Sequence, residues 1–206
     1  MNDAIKRILD VVVAGLGLLL LLPVLAIIAL VIKSTSKGPV FFRQTRVGRN
    51  ERPFKILKFR TMTANASSLG PQITLGEDPR ITSVGAILRR YKLDELPQLI
   101  NVVKGDMSLV GPRPETPDYV SFYPAADRRE IFQVRPGITD NASIIFSNEG
   151  ELLGRTENPL EYYVDVILPR KRALYIEYVR NHTVINDIAI VWRTILVILG
   201  WQRLDK

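Results

Sequence analysis

The chain has 206 residues, of which 47% are apolar, and a net charge of +7. This length predicts one catalytic domain plus an anchor, and the positive charge suits anionic lipid, anionic substrates or nucleic acid. There is no cysteine and only one histidine, which excludes disulfides and argues against a zinc or histidine-based site. A metal ion would have to be held by carboxylate oxygens, which favours Mg²⁺ or Mn²⁺.

Residues 11–32 form an uncharged apolar run that is long enough to cross a bilayer as a helix. A cleaved signal peptide, a plain spanning helix and a re-entrant helix are the alternatives. Pro23 lies at the centre of the run, where proline breaks a helix. Basic residues flank both ends: Lys6 and Arg7 before the run, Lys33 and Lys37 after it. Because both flanks are basic, both ends favour the cytoplasm, which predicts a re-entrant anchor over residues 1–37 with a break near Pro23.

The predicted catalytic domain occupies residues 38–206. Residues 39–46 and 54–59 are typical of two short strands, and Gly48 to Asn50 supply the turn of a β-hairpin. Residues 63–79 are rich in Ser, Gly, Asn and Pro and predict a long mobile loop. Ser83 is a candidate cap for the next helix, and a further helix runs through Leu99 and ends at Gly105.

The C-terminal third is predominantly helical in its apolar pattern. Residues 117–132 predict a helix, residues 134–138 an extended segment and turn, and residues 158–180 a helix broken by Pro169. Residues 186–204 combine apolar residues with two tryptophans and flanking arginines. This pattern predicts either an amphipathic helix at the bilayer surface or an ordinary core helix.

Asp94 and Glu95 stand together at the end of a cationic stretch, Arg-Arg-Tyr-Lys-Leu-Asp-Glu, in the joint between the two middle helices. A carboxylate held by cations stays ionised and can act as a nucleophile, a base or a metal ligand. The alternative is that Asp94 caps a helix and Glu95 is a surface charge.

Six motifs occur in order along the chain and together resemble the bacterial sugar transferases called monotopic phosphoglycosyl transferases. They are Lys-Phe-Arg-Thr-Met at 58–62, Asp-Pro-Arg-Ile at 78–81, Leu-Asp-Glu-Leu-Pro-Gln at 93–98, Asn-Val-Val-Lys-Gly-Asp-Met-Ser at 101–108, Gly-Pro-Arg-Pro at 111–114 and Arg-Pro-Gly-Ile-Thr at 135–139. The resemblance runs from the apolar segment to about Thr139, or roughly two thirds of the chain.

The resemblance implies transfer of a sugar 1-phosphate from a UDP-sugar to a polyprenyl phosphate such as undecaprenyl phosphate. UMP would leave, and the polyprenyl diphosphate sugar would begin a surface glycan. The resemblance also implies an α-rich α/β fold with a re-entrant membrane helix and interfacial amphipathic helices. The catalytic domain would then lie on the cytoplasmic face of the bacterial inner membrane, in contact with membrane lipids.

By the same resemblance, Asp94 is the nucleophile that forms an acyl-phosphate carrying the sugar. Glu95 would act as a base or join Asp94 in holding Mg²⁺. Substrate-binding roles fall on residues that could grip or frame phosphate groups: Lys58, Arg60, Arg89, Arg113, Pro114 and Arg135. For each cation the alternative is a solvated surface charge.

The chain departs from the family pattern after Thr139, where it has Asp-Asn-Ala-Ser-Ile at 140–144 and Asn-Glu-Gly-Glu at 148–151. Many relatives have a Gly-Leu-Ala-Gln-like segment followed by Asn-Gly-Arg, so the identity of the sugar stays open. Competing interpretations are a membrane-tethered nucleic-acid-binding module and an inactive scaffold subunit. The first lacks a recognisable recognition helix, so no nucleic-acid partner is expected, and the intact dyad argues against the second. A homo-oligomer stays open.

Overall fold

The computed structural model describes residues 3–63, 66 and 78–200, and within them the predicted helix-rich α/β architecture is confirmed. The chain begins with one long helix, α1 (Asp3–Thr35), and continues into the hairpin strands β1 (Phe41–Val47) and β2 (Pro53–Phe59). The expected mobile loop at 63–79 lies mostly outside the described residues. The division into an anchor and a catalytic domain at residue 37 stays a prediction; α1 ends two residues earlier.

Helix α1 stays helical through Pro23, so the predicted break is not a gap in the helix, and a bend at Pro23 stays a prediction. Proline removes one backbone hydrogen bond, and the remaining bonds of a 33-residue apolar helix continue on either side. Among the described helices, α1 is the one that is long and apolar enough to cross a membrane. Its middle is strongly exposed: Leu19 is 72% and Leu20 is 80% accessible.

Both ends of α1 contact the same domain. Near the N-terminal end, the Asp10 carboxylate accepts hydrogen bonds from Ser108 Oγ at 2.7 Å and from the Leu109 amide at 3.2 Å. Near the C-terminal end, Ile28 and Ile32 pack in one buried cluster with Phe59 and Leu88. The two flanks of the apolar segment therefore lie against one body, with the exposed leucines between them.

The predicted hairpin is confirmed: β1 pairs with β2 in antiparallel register, with Phe41 opposite Phe59 and Val47 opposite Pro53. Asn50 and Glu51 turn the chain with φ values of 55° and 58°. Left-handed backbone is uncommon outside glycine, and asparagine tolerates it best. Lys58 lies near the end of β2, two residues before Arg60.

Two short helices frame the acidic dyad. Helix α2 (Ser83–Arg90) is capped by Thr82 rather than by the predicted Ser83, because the Thr82 hydroxyl accepts from the Gly85 amide at 2.9 Å. Lys92 lies two residues after α2 in the left-handed conformation with φ 55°. It directs the chain into the 3-10 turn Leu93–Glu95. Helix α3 (Gln98–Lys104) ends at Gly105 with φ 98°, as predicted.

The side chain of Asn101 joins α3 to β2. Its Oδ1 accepts from the Leu57 amide at 3.0 Å, and its Nδ2 donates to the Lys55 carbonyl at 2.9 Å. Asn101 is buried, so these bonds form away from competing water. The strand that carries Lys58 is thereby held beside the turn that carries the dyad.

The rest of the described chain packs around a parallel two-stranded sheet. The strands are β3 (Ser108–Val110) and β4 (Gly137–Thr139), with Ser108 opposite Gly137. The helices are α4 (Pro117–Val120), α5 (Ala125–Ile131), α6 (Asn141–Ile145), α7 (Glu149–Gly154), α8 (Pro159–Tyr162), α9 (Leu168–Asn181) and α10 (Val184–Ile198).

Two helix predictions in this part are corrected. Residues 117–132 form two short helices rather than one, since Pro124 follows the first and begins the second. Pro169 does not break its helix, since the backbone is helical without a gap from Pro159 to Asn181. The irregularity lies earlier, in the π-helical turn Tyr163–Ile167.

Gly85 allows α2 to lie directly on the segment after β2. A Cβ atom placed there would lie 2.0 Å from the Thr61 carbonyl oxygen. We expect Gly85→Ala to destabilise the fold by about 3 kcal/mol, since a backbone group cannot move aside as a side chain could. For a chain of this size that corresponds to a fall in Tm of roughly 6–12 °C.

The matched control for this prediction is Gly15→Ala, since a Cβ there meets nothing within 4 Å. Thermal unfolding of both variants in the same detergent makes the comparison. Equal melting temperatures for the two variants would contradict the close approach of α2 to Thr61.

Candidate active site

The centre of the site is a buried ion cluster around Glu95. Its Oε1 accepts from Lys58 Nζ at 2.7 Å and from Arg113 Nη2 at 2.5 Å, and its Oε2 accepts from Arg113 Nη1 at 3.2 Å. Three separate segments meet here: the end of β2, the 3-10 turn after α2, and the Gly-Pro-Arg-Pro turn after β3. The structure thus brings together Lys58, Glu95 and Arg113, all predicted as site residues.

The two carboxylates of the dyad have opposite electrostatic environments. Burial works against ionisation of Glu95, but the charges of Arg113 and Lys58 outweigh it and hold the pKa of Glu95 well below its ordinary value. Burial raises the pKa of Asp94, and the nearby Lys58 only partly offsets this. Glu95 is therefore a fixed anion, whereas Asp94 is a carboxylate whose charge is poorly compensated.

Asp94 is 7% exposed, and its Oδ1 has no hydrogen-bond partner among the described residues. An unpartnered buried carboxylate oxygen is costly, and it is the property expected of a group that acts on a substrate or binds an ion. The cations Lys58, Lys92 and Arg89 contribute to the electrostatic environment of Asp94.

A cavity of about 900 Å³ opens beside the dyad. Its lining includes Arg89, Lys92, Glu95 and Arg113, but not the side chain of Asp94. The volume is near the upper end of the roughly 300–1,000 Å³ that small-molecule sites occupy. An extended anionic ligand therefore fits with its charged part beside Glu95 and Arg113.

Arg89 lies at the edge of this cavity, where its Nε donates to Thr61 Oγ1 at 2.8 Å. Thr61 was not singled out from the sequence, although it lies inside the Lys-Phe-Arg-Thr-Met motif. Burial lowers the pKa of Arg89 from its ordinary value, with Asp94 acting in the opposite direction. The guanidinium remains a cation, which suits an anionic ligand.

Of the other predicted substrate-binding residues, Arg60 and Arg135 make their contacts elsewhere, and Pro114 directly follows Arg113. Arg60 donates to the Ser36 carbonyl at 2.8 Å and to Ser36 Oγ at 2.7 Å, which ties the segment after β2 to the end of α1. Arg135 donates to the Gly105 carbonyl at 2.9 Å, at the end of α3 remote from the dyad. The Pro114 carbonyl accepts from Arg46 at 2.9 Å.

The hairpin hydrogen bonding continues one residue beyond β2, where the Arg60 amide donates to the Val40 carbonyl at 2.9 Å. Lys58 and Arg60 nevertheless have different partners, Glu95 and Ser36 respectively. Sequence reasoning also missed Arg46 and Glu115, which line the cavity. Glu115 directly follows the Gly-Pro-Arg-Pro motif, and that position was the available signal.

Only one of the two dyad carboxylates fits as a ligand for a magnesium ion. Both oxygens of Glu95 are engaged by cations, so Glu95 does not fit as a metal ligand in this arrangement. Asp94 fits, since its Oδ1 has no other partner among the described residues and Mg²⁺ accepts a single carboxylate when substrate phosphates supply further oxygens. The described residues contain no group of three or more His, Cys, Asp or Glu side chains that could hold a metal ion.

A cation-lined cavity with a buried dyad, on a domain that carries a membrane-length apolar helix, is typical of an enzyme that handles anionic substrates at a membrane. The chain belongs to the bacterial sugar transferase family, whose sequence model matches residues 1–201. The apolar helix and this family together indicate a membrane protein.

Curated relatives cover nearly all of the chain. It is 43% identical over 198 residues to the UDP-glucose:undecaprenyl-phosphate glucose-1-phosphate transferase of Caulobacter vibrioides, covering 94% of this chain and 69% of that protein. It is 41% identical over 197 residues to the protein of the same name from Escherichia coli, covering 94% of this chain and 40% of that protein.

A third relative has a different sugar in its name. The UDP-N-acetylgalactosamine-undecaprenyl-phosphate N-acetylgalactosaminephosphotransferase of Aeromonas hydrophila is 37% identical over 200 residues, covering 95% of this chain and 44% of that protein. The chain thus spans less than half the length of the Escherichia coli and Aeromonas proteins.

The ion cluster leads to a stability prediction. Replacing Glu95 with Gln keeps the shape but leaves Lys58 and Arg113 partly buried without their counter-charge. We expect Glu95→Gln to lose about 3–5 kcal/mol of folding free energy, because breaking a buried pair leaves an uncompensated charge. The control is Glu130→Gln, which removes the partner of Arg180 in an exposed ion pair and should change stability little. Chemical denaturation at neutral pH compares the two, and similar midpoints would contradict a structural role for Glu95.

Proposed function

We propose that the chain transfers a sugar 1-phosphate from a UDP-sugar to a polyprenyl phosphate and releases UMP. The observation that carries the proposal is the pairing of Glu95, neutralised by two cations, with Asp94, a buried carboxylate that has an unpartnered oxygen. The names of the curated relatives support the substrates, since each includes undecaprenyl phosphate and a UDP-sugar.

In the first step, a carboxylate oxygen of Asp94 forms a bond to the β-phosphorus of the UDP-sugar. The bond between that phosphorus and the bridging oxygen breaks, and UMP leaves with the bonding electrons. The product is an acyl-phosphate on Asp94 that carries the sugar. The Asp94 side chain must turn toward the cavity for this attack, because it does not line the cavity in the present conformation.

In the second step, an oxygen of the polyprenyl phosphate forms a bond to the same phosphorus. The bond to the Asp94 oxygen breaks, which restores the carboxylate and releases the polyprenyl diphosphate sugar. The raised pKa of Asp94 favours the first step, since a carboxylate that is poorly stabilised by its surroundings is the better nucleophile, whereas in the second step Asp94 is the leaving group. Arg89 and Arg113 contribute by binding phosphate oxygens as negative charge shifts between them.

Glu95 acts in this scheme by holding Lys58 and Arg113 in place. Because its pKa is held well below the ordinary range, Glu95 is a weak base and is poorly suited to accept a proton. A magnesium ion held by Asp94 and the donor diphosphate would neutralise charge on the leaving UMP.

We also propose that α1 enters and leaves the same leaflet, with both of its ends on the cytoplasmic face. The contacts of Asp10 with Ser108 and of Ile32 with Phe59 support this, since both flanks of the apolar segment then lie on one domain. The exposed middle of α1 supplies the apolar surface that the leaflet would cover. The exposed apolar residues of α10, including Trp192 and Ile188, suit a helix at the bilayer surface.

The reaction is tested by Asp94→Asn, which keeps the shape of the side chain but removes the nucleophile. Purified wild-type protein with Mg²⁺, undecaprenyl phosphate and a panel of UDP-sugars should release UMP, and Asp94→Asn should release less than about 1% of that amount. With UDP-sugar alone, intact-mass measurement should find a sugar-phosphate adduct on the wild type only. UMP release by wild type that does not depend on Asp94 would refute the covalent step.

The pH dependence of the first step follows from the raised pKa of Asp94. The protonated carboxyl cannot attack, so activity is lost as pH falls through the pKa in the folded protein, which lies above the ordinary 3.8. We expect the UMP burst without polyprenyl phosphate to have an acid limb with its midpoint above that value. A burst that remains constant down to pH 4, in protein shown to be folded there, would contradict the assignment.

The topology is tested with single cysteines at Ala4 and Lys37, since the chain contains none of its own. Both positions are exposed, on opposite sides of the apolar segment. In intact cells neither Ala4→Cys nor Lys37→Cys should react with an impermeant thiol reagent, and both should react once the membrane is opened. Labelling of one position from outside would show that α1 crosses the bilayer.

A further inference from the structure

A second polar cluster lies in the wall of the same cavity. The Tyr163 hydroxyl donates to Glu115 Oε1 at 3.1 Å, and Lys171 Nζ lies 4.0 Å from Glu115 Oε1. Lys171 also forms an ion pair with Glu149. Glu115 and Lys171 are buried, and all four residues line the cavity.

Thr116 is an unusual member of this wall. It precedes α4 at the position where a threonine hydroxyl ordinarily caps the helix, yet it makes no side-chain cap bond. Thr116 is only 3% exposed, and its Oγ1 has no hydrogen-bond partner among the described residues. A buried hydroxyl without a partner lowers stability, and because Thr116 lines the cavity, a ligand there could complete its hydrogen bonding.

Two parts of the cavity lining differ in charge. Around the dyad, the lining residues Arg89, Lys92 and Arg113 outnumber the carboxylate of Glu95, which suits phosphate groups. In the second cluster the cations of Lys171 and Arg46 are matched by the carboxylates of Glu115 and Glu149. A ligand group that is rich in hydroxyls and carries no charge fits such a surface, because it exchanges hydrogen bonds without adding charge.

We propose that this second cluster, with Thr116 at its centre, binds the sugar of the donor and determines which sugar is accepted. The inference rests on the proposed function and extends it to the same cavity. In the donor, the sugar is bonded directly through oxygen to the phosphorus that Asp94 attacks, whereas the uridine is separated from that phosphorus by a second phosphate. Glu115 is separated from Arg113 by one residue, so the cluster begins next to the residue proposed to bind phosphate, as the sugar is next to the reacting phosphorus in the donor.

Thr116 acts as a specificity residue in this arrangement, with its hydroxyl bonding a sugar hydroxyl. Glu149 is partly exposed and can accept a second hydrogen bond from the sugar, while Lys171 holds its carboxylate in position. A site that hydrogen-bonds a hydroxyl discriminates strongly against analogues that lack it, because its own polar groups are then left unpaired.

The test is Thr116→Val, which keeps the branched shape and removes only the hydroxyl. With the UDP-sugar that the wild type uses best, we expect KM to rise at least tenfold. The inhibition constant of UMP, which carries the uridine but no sugar, should change less than twofold. Tm should equal or exceed that of the wild type, because the substitution removes an unpartnered buried hydroxyl.

The matched control is Thr45→Val, on β1 next to the cavity-lining Arg46. Thr45 does not line the cavity, and its hydroxyl accepts from Lys55 at 2.6 Å on the exposed side of the hairpin. This variant should leave both KM for the donor and the inhibition constant of UMP unchanged. It therefore controls for the loss of a threonine hydroxyl near the site.

Three outcomes would overturn the inference. A parallel rise in the UMP inhibition constant would assign the cluster to the nucleotide instead of the sugar. Unchanged KM with normal UMP inhibition would leave Thr116 without a ligand. A lower Tm together with lost activity would make its role structural. Absence of UMP release by the wild type from every UDP-sugar would instead refute the proposed function, and so the two failures are distinguishable.

Discussion

The geometry of the site depends on one interaction, the binding of the Glu95 carboxylate by Lys58 and Arg113. The three residues come from segments that are far apart in the chain, and each charge is partly or fully withdrawn from water. In such surroundings an unpaired charge is very costly, so the strand, the turn and the Gly-Pro-Arg-Pro loop cannot separate without a large loss of free energy. The buried Asn101 strengthens the same arrangement by joining β2 to α3.

The ion cluster also explains how two adjacent carboxylates can behave differently. Glu95 receives both cations and becomes a permanent anion with a lowered pKa, so it neutralises the charge that would otherwise stabilise its neighbour. Asp94 is left buried with a raised pKa and an oxygen without a partner among the described residues. Environments that push the pKa values of paired groups apart are a common means of assigning different roles to like residues.

A second set of polar contacts connects the apolar helix to this site. Arg7 donates to the carbonyls of Val102 and Val103 at 2.6 and 3.0 Å, at the C-terminal end of α3, where a cation is favoured by the helix dipole. Arg60 bonds Ser36 just after the other end of α1. Helix α3 begins three residues after Glu95. The contacts of Arg7 with α3 therefore connect α1 to the dyad through this one short helix.

Much of the local structure follows from the sequence, because it depends on neighbouring residues. The apolar run, the hairpin, the glycine end of α3 and the position of the dyad between two helices are all set by periodicity, turn chemistry and capping. The motif order likewise identified the family, and three of the predicted cations, Lys58, Arg89 and Arg113, do lie at the dyad or the cavity beside it. These features need no knowledge of what packs against them.

What only the tertiary structure decided is which charges meet and which polar groups are left without partners. Arg60 and Arg135 have the same chemistry as Arg113, yet they bind Ser36 and Gly105, because the end of β2 and the course of the chain after α5 direct them elsewhere. Pro23 was expected to mark a break in α1, and the structure shows that the residues on both sides of it are helical. The unpartnered hydroxyl of Thr116 and the ion pairs of Lys171 depend on burial by distant segments, and no local pattern in the sequence encodes that burial.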